Sequence, residues 1–210
     1  MDQKPVTRLP VLILAAGQSR RMRGRDKLLE QVEGQPLILR QATQARAATL
    51  GPVLVALPQS PHPRHAALTG LDVTRLEVPD AAEGLSASLR RGLQALPDDA
   101  PATMLLLGDL PELTTDDLRQ VFQAVDLGSK TTVWRATTED GSPGHPIVVS
   151  SDLFDQLMSL QGDSGGAEIL KSQVNATTFI PLQGQRARCD LDTPEDWAAW
   201  RVANGKNGEP

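Results

Sequence analysis

One cysteine, Cys189, stands among the 210 residues, so no intrachain disulfide can form and no cysteine cluster is present to hold zinc. Tyrosine is absent, and three Trp and three Phe are too few to build the stacked aromatic platforms on which single-stranded nucleic acid binds. Positive charge is not in excess either. A net charge of -5 argues against the broad basic face that neutralises DNA or RNA phosphates, so no nucleic-acid partner is expected. Residues 1–5, Met-Asp-Gln-Lys-Pro, carry no apolar run of the kind a secretory signal needs, and the apolar run 11–16 is far too short to span a bilayer. These absences predict a soluble protein of the reducing cytoplasm with no membrane partner.

What is present is the composition of a folded chain, with 40% apolar and 22% charged residues. The length predicts one domain over 1–203 and a flexible tail over 204–210. Short, continuously apolar runs at 11–14, 53–57 and 104–107, with the more mixed run 73–78 grouped beside them, read as strands buried on both faces. Helical patterns over 36–48, 86–96 and 114–125 lie between or after them. This alternation predicts an α/β fold with a mainly parallel sheet. The second half is less regular, with strands expected at 132–134, 146–149 and 177–181, helices over 152–160 and 166–171, and a last helix opening at Pro194.

Three segments carry chemistry. The first follows the opening strand, where Leu14-Ala15-Ala16-Gly17 delivers small residues to the carboxyl edge of the sheet, the usual ligand crevice of open α/β folds. Five basic residues (Arg20, Arg21, Arg23, Arg25 and Lys27) then accompany a single acid, Asp26. Neither the Walker pattern nor the dinucleotide fingerprint occurs here. As bare chemistry the run suits a solvated basic turn about as well as a polyphosphate cradle, and the order of strand, small residues, glycine, arginines and lysine favours phosphate.

The second segment is Gly108-Asp109-Leu110-Pro111, which places Asp109 at the same sheet edge. Strand-end carboxylates of this kind either cap loops or hold a hard cation such as magnesium together with phosphate oxygens. A later cluster, Asp190-Leu191-Asp192-Thr193-Pro194-Glu195-Asp196, suits a helix cap first and a metal site second. The third segment, Pro79-Asp80-Ala81-Ala82-Glu83-Gly84-Leu85-Ser86-Ala87-Ser88, reads as a loop leading into a helix with Ser86 as its cap. Ser142-Pro143-Gly144-His145-Pro146 reads as a turn.

Leu14-Ala15-Ala16-Gly17-Gln18-Ser19-Arg20-Arg21-Met22 with Asp26-Lys27-Leu28-Leu29 resembles the signature loop of the molybdenum cofactor nucleotidyltransferases, particularly their cytidylyltransferase branch. The family's usual form has glycine directly after methionine, where this chain inserts Arg23 before Gly24. The similarity runs from Val11 to about Trp197 in five segments. It implies a three-layer, Rossmann-like α/β fold with a mostly parallel mixed sheet.

The resemblance further implies a magnesium-dependent transfer of CMP from CTP to the phosphate of a molybdopterin-type cofactor. Arg21, Lys27 and Asp109 would act in catalysis, and Asp109 with Asp192 would hold Mg2+, Asp190 being the alternative second ligand. Leu14, Ala15, Ala16, Gly17, Ser19, Pro79, Gly84, Ser88 and Gly108 would surround the nucleotide. Guanylyl-transferring relatives carry Ala-Gly-Gly where this chain has Ala15-Ala16-Gly17, so the extra methyl of Ala16 implies CTP over GTP. Gly144, His145 and Ser164 would face the acceptor, and the partner served would be a molybdenum hydroxylase or its maturation chaperone. Other readings stay open: GTP or another phosphate acceptor, an NAD(P)H-dependent oxidoreductase, or a molybdoenzyme maturation partner on the same fold.

Overall fold

The computed structural model describes residues 7–162 and 166–205. In chain order the strands are β1 (Val11–Leu14), β2 (Gln31–Val32), β3 (Gln35–Pro36), β4 (Val53–Pro58), β5 (Thr74–Val78), β6 (Ala102–Leu107), β7 (Val133–Thr137), β8 (Pro143–Ser150) and β9 (Thr177–Pro181). The helices are α1 (Leu37–Ala48), α2 (Pro63–Ala67), α3 (Leu85–Gln94), α4 (Thr115–Gln123), α5 (Phe154–Met158), α6 (Ala167–Ser172) and α7 (Pro194–Ala203). Seven strands form one sheet in the order β5-β4-β1-β6-β8-β7-β9, and β2 and β3 form a separate small hairpin. Within the seven-stranded sheet all pairs are parallel except those of β8, which runs against both β6 and β7.

The sheet divides the core in two. Val11 and Ile13 of β1 point to one side, among Ile38 of α1, Leu118 of α4 and Trp197 of α7. Leu12 and Leu14 point to the other, among Leu89 and Leu93 of α3 and Leu157 of α5. β1 is therefore apolar throughout because both faces are covered, and each such side chain contributes about 1.5–3 kcal/mol on leaving water. The result is the three-layer, Rossmann-like α/β fold with a mostly parallel mixed sheet that the sequence predicts. Gly92 of α3 lies so close to β1 that a Cβ there would overlap the Leu12 side chain, and this close approach sets the start of α3 over the end of β1.

From β1 the chain crosses to β4 on one side, whereas β6 flanks β1 on the other. The strand order reverses between β1 and β6, and the crevice at their carboxyl ends is where open α/β sheets bind ligands. Gly17 follows the first of these strands and Asp109 the second.

Differences from expectation gather in the second half. Pro143, Gly144 and His145 do not form a turn but begin β8. The cause is distant in sequence: the His145 N–H donates to the Ala187 carbonyl at 2.9 Å, and a Cβ on Gly144 would overlap that same backbone. Residues expected as one helix over 152–160 split into a 3-10 turn, Ser151–Leu153, and the short α5. Asn204, expected in a flexible tail, caps α7 through its N–H to the Trp200 and Val202 carbonyls.

Candidate functional site

A cleft of about 460 Å³ opens at the β1/β6 crevice, within the range of small-molecule sites. Its walls include Leu14 through Arg21, Lys27, Gly108 and Asp109, and from the far side Gly84 and Ser88 of the α3 entry together with Asp190 and Asp192. The loop after β1 turns sharply. Ser19 and Arg23 both adopt left-handed backbone conformations, and Gly24 follows with φ 89. Two successive left-handed residues thus absorb the inserted Arg23 while Met22 stays fully buried. The basic side chains divide accordingly. Arg20, Arg21 and Lys27 line the cleft, whereas Arg23 pairs with Glu195 at 2.8 Å and Arg25 with Glu30 at 2.5 Å.

At the cleft floor Lys27 Nζ lies 2.5 Å from Asp109 Oδ2 and 2.6 Å from Asp192 Oδ1, and Arg21 Nη1 lies 2.6 Å from Asp192 Oδ2. Burial, the largest single influence on Lys27, opposes its charge, but Asp109 and then Asp192 outweigh it and the ammonium pKa is raised above 10.5. Asp192 therefore joins Asp109 around one cation, whereas Asp190 lines the cleft as an exposed residue. The other carboxylate oxygen of Asp109, Oδ1, is buried without a hydrogen-bond partner among the described residues.

An unpaired buried carboxylate oxygen on Asp109, with a second carboxylate, Asp192, joined to it through Lys27, suits a hard divalent cation. No group of three or more His, Cys, Asp or Glu converges among the described residues, so the protein alone makes no closed cage. A magnesium-type ion that keeps part of its shell for phosphate oxygens needs no more than this.

The family model of the MobA-like NTP transferase domain matches residues 11–177. This chain belongs to that family. The bifunctional protein GlmU of Burkholderia ambifaria is 28% identical over 178 residues, covering 84% of this chain and 39% of that protein, so the chain spans well under half the length of this relative. Among solved structures, Rv0371c from Mycobacterium tuberculosis superposes with a TM-score of 0.79 at 26% identity, over 93% of this chain and 98% of that one. The same protein has been solved in complex with manganese. A nucleotidyl transferase from Methanothermobacter shares the fold, with a TM-score of 0.74 at 20% identity over 93% and 97% of the two chains.

Within this MobA-like domain the matched residues include the basic loop and Asp109, and stop short of Asp190 and Asp192. Several predicted positions stand apart from the cleft. Pro79 is exposed and not part of its walls. Gly144 and His145 sit on β8 beside β6, outside the walls. Ser164 lies outside the described residues. Burial and the Arg135 guanidinium hold the His145 imidazole at a pKa of about 4, although Asp109 pulls the other way, and its Nδ1 is buried without a partner among the described residues.

Ser86 does not cap α3. Gly84 does, with φ 114, while Ser86 Oγ donates to the Gly162 carbonyl at 2.6 Å. The residue that sequence reading passed over is Arg64, in a proline- and histidine-bearing stretch. It is buried behind the basic loop, and its Nη1 donates to the carbonyls of Ala15 at 2.7 Å and Gly17 at 2.8 Å. Nothing local marks it, because the partners of its guanidinium lie 38 to 49 residues away. Among the described residues no helix is long and apolar enough to cross a membrane.

Proposed function

We propose that this MobA-like domain transfers a nucleotidyl group from a nucleoside triphosphate to a phosphate-bearing acceptor, with CTP and a molybdopterin-type cofactor as the pair. The observation that carries the reading is the convergence of Lys27, Arg21, Asp109 and Asp192 at the sheet's switch point, in the cleft that residues 14–21 line. In this reading the acceptor phosphate oxygen attacks the α-phosphorus, the bond to the β-phosphate breaks, and pyrophosphate leaves. Arg20 and Arg21 take the β- and γ-phosphates, and Lys27 leaves the aspartates to follow the charge that grows on the phosphoryl oxygens. Asp109 and Asp192 would hold a divalent ion, in keeping with the manganese complex of Rv0371c. Bound there, a magnesium ion supplies charge neutralisation at the phosphate oxygens.

The wall that would receive the base is made of Leu14, Ala16, Ala81, Leu85 and Ser88. The Ala16 methyl narrows it and supports a pyrimidine. Gly144 and His145 of β8 are assigned to the acceptor together with Ser164, with residues 1–203 acting as one domain.

The test is pyrophosphate release from protein, Mg2+ and CTP, GTP or ATP, with and without molybdopterin. CTP with molybdopterin should turn over fastest. Lys27→Met should lower kcat/KM by about 10²–10³, the loss expected when a donor to developing charge is removed. Release with another nucleotide and acceptor, and none with CTP and molybdopterin, would refute the specific pair while keeping the transfer.

A further inference from the structure

We propose that Arg64 is the positioning residue of the phosphate loop, holding the Ala15 and Gly17 carbonyls from behind so that the N–H groups of Ala16 and Gln18 face the cleft as a fixed nest for the triphosphate. The inference rests on the nucleotide reading of the cleft and adds to it a residue outside the cleft walls.

All five guanidinium donors of Arg64 are engaged. Nε and Nη2 form a fork on Asp26 at 2.8 and 2.7 Å, and Nη2 also reaches Ser19 Oγ at 3.1 Å. Nη1 takes the Ala15 carbonyl at 2.7 Å and the Gly17 carbonyl at 2.8 Å. The side chain is only 2% exposed, and Asp26 neutralises its charge, so Arg64 does not itself attract the nucleotide. That task falls to Arg20, Arg21 and Lys27 in the cleft.

The geometry of the peptide unit supplies the rest. In a trans peptide the N–H points opposite to the carbonyl before it. With the Ala15 and Gly17 oxygens turned onto Arg64, the Ala16 and Gln18 N–H groups point away from it. Residues 15–19 line the cleft and Arg64 does not, so the loop stands between them and away from Arg64 is toward the ligand. The N–H groups of Ala16, Gly17, Gln18 and Ser19 donate to no other group among the described residues. Unsatisfied N–H groups in succession around a left-handed residue are what an anion nest requires.

Arg64 is in turn fixed by its own short helix. Its N–H donates to His62 Nδ1 at 3.3 Å, and His65 Nε2 lies 2.8 Å from the Pro58 carbonyl at the end of β4. Lysine has one donor centre and no planar fork, so it cannot serve Asp26 and two carbonyls together.

The test compares wild type, Arg64→Lys and the double variant R64M/D26N by calorimetric titration with inorganic tripolyphosphate and with CTP, alongside thermal melting. The single Arg64→Met change leaves Asp26 as a half-buried charge without its cation, and D26N removes that charge. The double variant should melt near wild type yet bind tripolyphosphate about ten- to a hundredfold more weakly, as expected for losing one or two hydrogen bonds to a charged group. Arg64→Lys should not rescue binding. In wild type, the Ala16 and Gln18 amide resonances should move most on titration with tripolyphosphate, a readout that stands even where a variant does not fold. Stationary Ala16 and Gln18 resonances on binding, or a double variant with wild-type affinity, overturn the inference. A wild-type protein that binds neither tripolyphosphate nor CTP instead overturns the nucleotide reading on which it rests.

Discussion

His145 is the side chain whose protonation the fold opposes most strongly. Its pKa falls from 6.5 to about 4, because burial and then Arg135 penalise the imidazolium more than Asp109 and the Leu105 backbone favour it. The unfolded chain therefore takes up this proton near pH 6.5 and the folded chain only near pH 4. Stability is unaffected above pH 6.5, falls as the pH drops through that window, and levels off below it. Each pKa unit is worth about 1.4 kcal/mol, so the histidine removes up to about 3 kcal/mol by pH 4. His145→Asn should flatten this part of the stability profile, measured as urea midpoints between pH 4 and 7. An unchanged slope would mean that other groups set the acid sensitivity. Little of this was legible in the sequence. His145 could be seen beside glycine and prolines, but its burial depends on β8 pairing with β6 and on Ala187, forty-two residues later.

The entry of α7 shows how an element aims a side chain. Thr193 and Asp196 form a reciprocal capping box, and Asp196 also accepts from the Asp192 N–H at 3.2 Å, so the cap fixes the backbone that carries Asp192 to Lys27. An equivalent box, Thr114 with Asp117, starts α4 away from the cleft walls. Thr193→Ala and Thr114→Ala should each lose about 1 kcal/mol, or about 2–4 °C in melting temperature. Only Thr193→Ala should also lower kcat/KM, which steady-state pyrophosphate release would show. Equal kinetic effects of the two would separate Asp192 from the cap. Both caps are readable locally as threonine followed by an acid three residues on, and the buried strands β1, β4 and β6 are readable as unbroken apolar runs. The start of β8, the split before α5 and the grip of Arg64 are not, because each is decided by backbone partners remote in sequence. Between these extremes lies Asp192: its spacing beside Asp190 leaves two candidates, and it is Asp192 that contacts Lys27.

Across the molecule, the parallel half of the sheet carries the cleft, and β8 carries Gly144 and His145, which the proposal assigns to the acceptor. Arg90 on α3 joins the two. Its Nη2 pairs with Glu83 at 3.1 Å and Asp80 at 3.5 Å in the loop entering α3, while Nη1 donates to the Leu160 carbonyl at 2.6 Å and to Ser86 Oγ at 3.2 Å. Ser86 in turn binds Gly162, so one side chain ties the loop entering α3 to the chain at residues 160–162. A rigid link between two subsites makes the ordering of one lower the ordering needed at the other, which appears as coupled affinities. Arg90→Ala should therefore raise KM for both nucleotide and acceptor by about five- to tenfold. Because Arg90 touches none of the reacting groups, kcat should change less. The decisive comparison is CTP affinity measured with and without saturating acceptor. Wild type should bind CTP more tightly with acceptor present, and Arg90→Ala should show nearly the same affinity in both conditions. If the variant keeps the wild-type ratio, the two halves communicate by another route, through β6 and β8 where their strands meet.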